Sequence, residues 1–204
     1  MNALAGEVVQ LTFEHLILVA TTMGIAASVG IPVGILLTRR ATLQRWILRS
    51  ANVAQTIPSL ALFGFLIPLP FIGGIGRSTA IIALVLYALL PILHNTVTGI
   101  VGIDRSVRES AIAMGLTARQ LLWEVELPLA WPTILTGIRI ATVTTIGTAT
   151  IAAAIGGGGL GVFIFQGLAS VDSTLLLAGA IPAALMALLA DRVLEWTIVR
   201  LSPR

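Results

Sequence analysis

Long uncharged, mostly apolar stretches alternate with short charged ones along this chain. Residues 15–38, 50–76, 78–103, 140–171 and 173–190 contain no Asp, Glu, Lys or Arg. A helix needs about 20 mainly apolar residues to cross a hydrocarbon layer of about 30 Å. Four of the runs exceed that length, and the fifth reaches it if flanking side chains snorkel. The pattern therefore predicts an all-α polytopic membrane protein with five spans, over about 15–38, 50–70, 78–101, 132–155 and 173–196. Residues 1–14, with Leu4, Val8, Leu11 and Phe13 to one side, read as an interfacial segment at the outer surface. Residues 197–204 read as a cytoplasmic tail.

The pattern breaks most sharply between Asp104 and Pro128, which hold seven charged residues between two apolar blocks. Ser106 followed by Glu109 fits a capping box at a helix start, and Thr117 with Gln120 repeats it. Gly115 lets the first helix stop, and Pro128 is expected to end the second because its ring clashes with a continuing helix. Each helix keeps an apolar side, Val107, Ala111 and Met114 on one and Leu121, Leu122 and Val125 on the other. A charged helix–turn–helix of this kind at a membrane surface is suited to docking a partner.

The spacing Glu109-Ser110-Ala111, three residues, Gly115, nine residues, Val125-Glu126-Leu127-Pro128 resembles the EAA loop of ABC-importer permeases. That pattern is Glu-Ala-Ala, three residues, Gly, nine residues, Ile-x-Leu-Pro. Ser110 and Val125 are the departures, and both are small. The resemblance implies a type I importer transmembrane fold in which residues 104–128 form the coupling loop. It assigns contact with a cytoplasmic ATPase subunit to Glu109, Ser110, Ala111, Gly115, Leu127 and Pro128.

Composition agrees. The chain is 57% hydrophobic and 10% charged with a mean hydropathy of +1.02, which leaves no room for a sizeable soluble module. All 12 basic residues are arginines. With no lysine there is no P-loop lysine and no conventional P-loop ATPase in the chain itself. With no cysteine, thiolate metal sites, disulfides and a Cys nucleophile are excluded. A net charge of +3 and a pI near 11.0 invite a nucleic-acid reading, but the arginines are placed otherwise. Arg39, Arg40, Arg45 and Arg49 follow span one, Arg105, Arg108 and Arg119 follow span three, and Arg192, Arg200 and Arg204 close the chain. With five spans these share one side and only Arg77 falls opposite, so the positive-inside rule sets the N-terminus outside and residues 104–128 in the cytoplasm of a bacterial inner-membrane protein. The N-terminus lacks a basic n-region and carries Glu7 and Glu14, so span one is expected to be its own targeting signal.

Within the spans, Asn52, Gln55, Thr56 and Ser59 recur at helical spacing on one polar face, beside Pro58. Polar residues at this depth line a path or hydrogen-bond between helices, and both readings stay open. Span four repeats small residues every fourth position from Thr133 through Gly137, Ala141, Thr145 and Ala149, with Thr144 and Thr148 in a neighbouring row. Those rows would pack on a second permease subunit, line the path, or do both. Span one carries Ala26, Gly30 and Gly34 at the same spacing, a helix-packing face. Arg139 is expected to snorkel to the inner surface in preference to meeting an acid, and His15 to lie at the interface. Pro91 should kink span three near His94 and Asn95, while Asp172 stands open to an external partner. Residues 156–161, Gly-Gly-Gly-Gly-Leu-Gly, match GxGxxG without a strand before them, so they read as a turn or re-entrant bend. Pro58, Gly156, Gly158 and Gly161 are the candidate hinges or gate positions.

Residues 52–62 (NVAQTIPSLAL), 83–93 (ALVLYALLPIL) with Asn95-Thr96, Gly156 to Gly161 and 178–183 (AGAIPA) look like permeases for osmoprotectants such as glycine betaine, carnitine and choline. The likeness runs from about residue 15 to 195. It implies a permease subunit that moves a compatible solute by alternating access. Its expected partners are cytoplasmic ABC ATPase subunits, a second permease subunit, identical or homologous, and an extracytoplasmic solute-binding protein, in membrane lipid and without nucleic acid. No catalytic residue, metal or cofactor is expected in the chain. An amino-acid permease, as for methionine, shares the loop and is the rival within importers. A passive channel or secondary carrier is the rival outside them, though no acid within the spans partners His94.

Overall fold

The computed structural model describes residues 2–70 and 73–201. Its helices are α1 (Asn2–Thr38), α2 (Ala41–Gln55), α3 (Ser59–Leu66), α4 (Arg77–Val101), α5 (Arg105–Ala113), α6 (Ala118–Gln120), α7 (Leu127–Ala152), α8 (Gly161–Ser170) and α9 (Ser173–Leu201). A π-helical turn, Leu121–Glu126, joins α6 to α7, and a 3₁₀ turn, Ala153–Ile155, extends α7. Among the described residues four stretches are long and apolar enough to cross a membrane: Leu4–Thr38, Arg77–Val101, Ala118–Ile155 and Ser173–Leu201. The expected second span is instead two helices of 15 and 8 residues. Pro58, at φ −56° and ψ 137°, sets the break, since its ring disfavours helical angles at the residue before it.

Small residues fix the packing of the bundle. A Cβ at Gly30 would lie 2.8 Å from Ile92, and one at Gly34 2.7 Å from Thr96. Residue numbers rise together along α1 and α4, so these helices run parallel. The chain between them must therefore travel the length of the bundle, and α2 with α3 makes that interrupted pass. Helix α7 lies antiparallel on α4: a Cβ at Gly137 would meet Asn95 Cβ at 2.6 Å and the Pro91 carbonyl oxygen at 2.7 Å, and one at Gly99 would meet Thr133 at 3.0 Å. Helix α9 packs on α7, and α8 folds back on α9. Leu18, Phe63, Leu84 and Ile146 form the main core, and Ala26, Ala88, Ile92 and Ala141 continue it.

Several expectations are corrected by this packing. Residues 2–14 are not a separate element, because α1 runs unbroken from Asn2 to Thr38. The small row of span four faces inward: Gly137, Ala141, Thr145 and Ala149 are buried within this chain, so they are not free to pack on a second subunit. Helix α9 continues to Leu201, and Arg204 lies outside the described residues. His15 is not interfacial but fully buried, with Nε2 3.1 Å from the Ile146 carbonyl oxygen. Arg139 does not snorkel alone. Its Nε and Nη2 donate to the two carboxylate oxygens of Asp191 on α9 at 2.5 and 2.8 Å, with Glu195 3.5 Å away. The acid lies 52 residues on, where no local pattern marks it as a partner.

The close α4–α7 approach makes a simple prediction. Gly137→Ala should force the helices apart and cost about 1–3 kcal/mol, as overpacked cores do. The midpoint of thermal unfolding in detergent should fall for this variant and not for Gly24→Ala or Gly147→Ala, where an added Cβ meets nothing within 4 Å.

Candidate functional site

The charged loop lies where the C-terminal ends of α1 and α4 meet the start of α7. Asp104 caps α5, accepting from the Ser106 amide at 2.8 Å, and this bond holds its carboxyl below the usual range. The expected Ser106–Glu109 box is therefore absent, and Glu109 instead accepts from Arg105 at 2.6 Å on the exposed face. The second box is present, with the Thr117 amide donating to Gln120 at 3.0 Å. Gly115 adopts φ +89°, a left-handed angle that costs other residues about 1–2 kcal/mol. That angle lets the Leu116 amide donate to the Ala111 carbonyl at 3.2 Å and close α5. Ala111 faces the bundle and is buried, whereas Glu109, Ser110, Ile112 and Met114 point away from it.

Pro128 does not end the second helix, contrary to expectation. It occupies the first turn of α7, directly after the π-helical turn in which the Leu127 amide donates to the Leu122 carbonyl. Widening the helix by one residue gives the proline ring room and removes the need for its missing N–H. Leu127 is half-buried and Pro128 exposed. The same turn aims Glu126 inward, fully buried. Both its carboxylate oxygens meet the Arg39 guanidinium at the end of α1, Oε1 with Nη1 at 3.4 Å and Oε2 with Nη2. Arg108 of α5 approaches Oε1 at 3.3 Å and also donates to the Ile100 carbonyl at the end of α4. One carboxylate thus ties α5, α1 and α7 together, and Arg108 adds α4. Glu126 stands at the variable position of the loop pattern, so its spacing carried no signal. Its only mark in the sequence is a charge next to two apolar residues.

Above this joint, α2, α4 and α7 enclose a cavity of about 380 Å³. Of the six residues expected to line a path, Asn52, Gln55, Thr144 and Thr148 do line it, while Thr56 and Ser59 do not. Thr56 spends its hydroxyl on the Val53 carbonyl at 2.7 Å, at the broken end of α2. Thr145 of the small row also lines it, and the structure adds Tyr87, His94 and Asn95. Pro91 explains part of the arrangement. It has no N–H for the Tyr87 carbonyl four residues back, and that oxygen instead faces the Gln55 amide at 3.5 Å. The Tyr87 hydroxyl in turn donates to the Ile57 carbonyl in the break between α2 and α3.

At the opposite end of the bundle, Gly156 and Gly158 take left-handed angles of φ +79° and +77° and turn the chain from α7 into α8. Gly161 is a packing position: a Cβ there would lie 1.9 Å from the Thr150 carbonyl oxygen. His15 sits beneath this turn, with Nδ1 2.9 Å from where a Cβ of Gly159 would be. Asp172 is exposed and caps α9, its Oδ1 accepting from the Thr174 amide at 2.8 Å. Among the described residues no group of three His, Cys, Asp or Glu is arranged to hold a metal.

Residues 30–204 match the family described as binding-protein-dependent transport system inner membrane component. The glycine betaine/carnitine/choline transport system permease protein OpuCD of Bacillus subtilis (strain 168) is 45% identical over 199 residues, 97% of this chain and 86% of that protein. The osmoprotectant import permease protein OsmW of Salmonella typhimurium (strain LT2) is 44% identical over 202 residues, 98% of this chain and 94% of that one. In fold, the chain matches a structure of the MetNI methionine ABC transporter in an inward-facing conformation with a TM-score of 0.86 at 24% identity, covering 96% of each chain.

Glu126→Gln should loosen the joint. Removing one partner of a buried ion pair costs about 3–5 kcal/mol, and the solvent access left to Arg39, 47% exposed, reduces this to roughly 2–3 kcal/mol. Limited proteolysis should then cut between residues 104 and 120 faster than in the unaltered protein, while Glu124→Gln, on the exposed side of the same turn, should leave the rate unchanged.

Proposed function

We propose that this chain, which belongs to the family of binding-protein-dependent transport system inner membrane components, is the permease subunit of an ATP-driven importer of osmoprotectants such as glycine betaine, carnitine or choline. The observation that carries the coupling role is the placement of α5. Its inner face is fastened to three long helices through Glu126 and Arg108, while Glu109, Ser110, Ile112 and Met114 project from the end of the bundle. Such a helix can receive a push from outside and pass it on without deforming.

In this reading a cytoplasmic ATPase pair holds the exposed face of α5, and closure of that pair on ATP moves the loop and switches the bundle between inward and outward openings. Two permease subunits, identical or homologous, face each other across the cavity, and an extracytoplasmic binding protein delivers the solute. Asn52, Gln55, Thr144 and Thr148 line the path, and Pro58 with Gly156 and Gly158 supplies backbone bends near its two ends. Arginines mark the end of the bundle that holds residues 104–128, so this end is cytoplasmic and the N-terminus lies outside. Relatives named for osmoprotectants, at 44–45% identity, favour that substrate over methionine, for which the support is fold alone.

Two variants test the coupling. Glu109→Lys should abolish uptake of glycine betaine by the assembled importer in proteoliposomes while the subunit still inserts. Gly115→Leu should do the same through the strain of a side chain at φ +89°, and Gly115→Asn, which tolerates that angle better, should keep more uptake. Wild-type uptake in Glu109→Lys or Gly115→Leu would refute the loop's role, and uptake without ATP would point to a passive channel or secondary carrier.

A further inference from the structure

A second cavity, of about 360 Å³, lies along α7 and is lined by Thr136, Arg139, Ile140, Val143, Thr144 and Asp191. Ile140 and Thr144 also line the cavity between α2, α4 and α7, so the two are neighbours on one helix. Gly137 packs against Asn95 and the Pro91 carbonyl, which sets Arg139, two residues on, at the depth of that first cavity. About 18 Å of helix axis separates Arg139 from Leu127, where α7 begins. The Arg139–Asp191 pair therefore stands well inside the hydrocarbon layer, yet its side chains are 27% and 33% exposed in this chain. Lipid cannot solvate charges at such a depth, so they face water-filled space or protein. Continuity with the polar cavity already placed on the path favours water. The charges are also unbalanced. Arg139 bonds Asp191 through Nε and Nη2 and approaches Glu195 at 3.5 Å, so two carboxylates meet one guanidinium. Arg192, 3.5 Å from Glu195, is 81% exposed and lies on the outside of the cluster. Nη1 of Arg139 makes no hydrogen bond among the described residues.

We propose that this ion cluster is a charged station on the solute path, where a methylated ammonium group rests against Asp191 and Glu195. The inference rests on the uptake reading and extends its path from Thr144 to Arg139. A quaternary ammonium has no N–H and takes up none of a carboxylate's hydrogen-bonding capacity, so an acid already bonded to arginine still serves as its counter-ion. That suits a bare cation such as choline. A zwitterion such as glycine betaine is met at both ends, its ammonium by the acids and its carboxylate by the unspent N–H groups of Arg139 Nη1. No Asp, Glu, Lys or Arg lines the first cavity, so the counter-charge it lacks comes from here. The volume, about 360 Å³, falls in the range of small-molecule pockets, about 300–1,000 Å³.

The chain has no cysteine, so single cysteines in it report water access directly. In inside-out vesicles holding the complete importer, Thr136→Cys and Val143→Cys should react with a charged, membrane-impermeant methanethiosulfonate, read as added mass on this chain. Choline or glycine betaine at saturating concentration should slow that reaction several-fold. No reaction at either position while Thr148→Cys reacts would overturn the proposal and leave the uptake reading standing. A disulfide joining the Val143→Cys residues of two subunits would overturn it in favour of a subunit contact. The double variant Arg139→Gln with Asp191→Asn keeps a hydrogen-bonded tie between α7 and α9 and removes both charges. Its uptake of choline and glycine betaine in proteoliposomes, at saturating binding protein, should fall about tenfold, the size of one interaction with a charged group. Unchanged uptake would overturn the proposal and reduce the pair to a structural tie. Where the midpoint of thermal unfolding falls as well, protection of Val143→Cys decides: slowing by solute supports the proposal and its absence overturns it. Failure of the unaltered importer to take up either solute would overturn the uptake reading, and the proposal with it.

Discussion

A carboxylate with no access to water must be met by positive charge or by hydrogen bonds, and the lower half of this protein is arranged around one such group. Glu126 is reached by Arg39 and Arg108 from two other helices, and it points inward because the π-helical turn rotates it there. The requirement works in both directions. The glutamate needs both guanidiniums, and α1, α5 and α7 keep their mutual positions because Arg39 and Arg108 make no other ion pair among the described residues. Arg108 extends the connection to the last turn of α4. A loop of seven charged residues is thereby tied to the bundle, although only Ala111 of α5 is buried.

Contact between the long helices depends on the absence of side chains. Gly30 and Gly34 let α1 press on α4, and Gly99 and Gly137 let α7 do so from the other side. Between lipid-solvated helices apolar burial gives little drive, and close backbone approach with many dispersion contacts replaces it. The result is a compact triad of long helices with α2 only loosely attached, no residue of α2 being buried. The cavity lies between that helix and α4 and α7. Pro91 gives it polarity as well as shape, because the carbonyl that this proline leaves unpaired draws the Gln55 amide to the cavity wall.

Much of this was legible in the chain. Uncharged runs marked four long apolar helices and a fifth stretch that is broken in two, the arginine distribution marked the common side of the three charged segments, and the loop and capping patterns marked α5, Gly115 and the second capping box. What escaped is long-range. The pairing of Arg139 with Asp191 depends on the register of α7 against α9, and the burial of His15 depends on the Ile146 carbonyl 131 residues away. Local rules also failed where two of them competed. Pro128 was read as a terminator, but a single π-helical turn absorbed it. The fourfold row of small residues on α7 packs on helices of this chain, with Thr145 at the cavity, and of the alternatives open in the sequence only contact with a second subunit is lost, because periodicity reports that a face is narrow and does not report against what. Four of six polar positions reached the cavity, and the two that did not sit at the break, where the helix on which their spacing was counted no longer exists.

The shortness of α3 bears on how the molecule comes to be made. Eight residues cover about 12 Å of axis, less than half the depth of the hydrocarbon layer, and the turn before it bares carbonyls that lipid cannot satisfy. One of these, at Ile57, is answered by the hydroxyl of Tyr87, which the ribosome adds 30 residues later. The first half of the chain is therefore not a self-sufficient membrane entity as it emerges, and its interrupted pass has no resting place in the bilayer until α4 has been synthesised beside it.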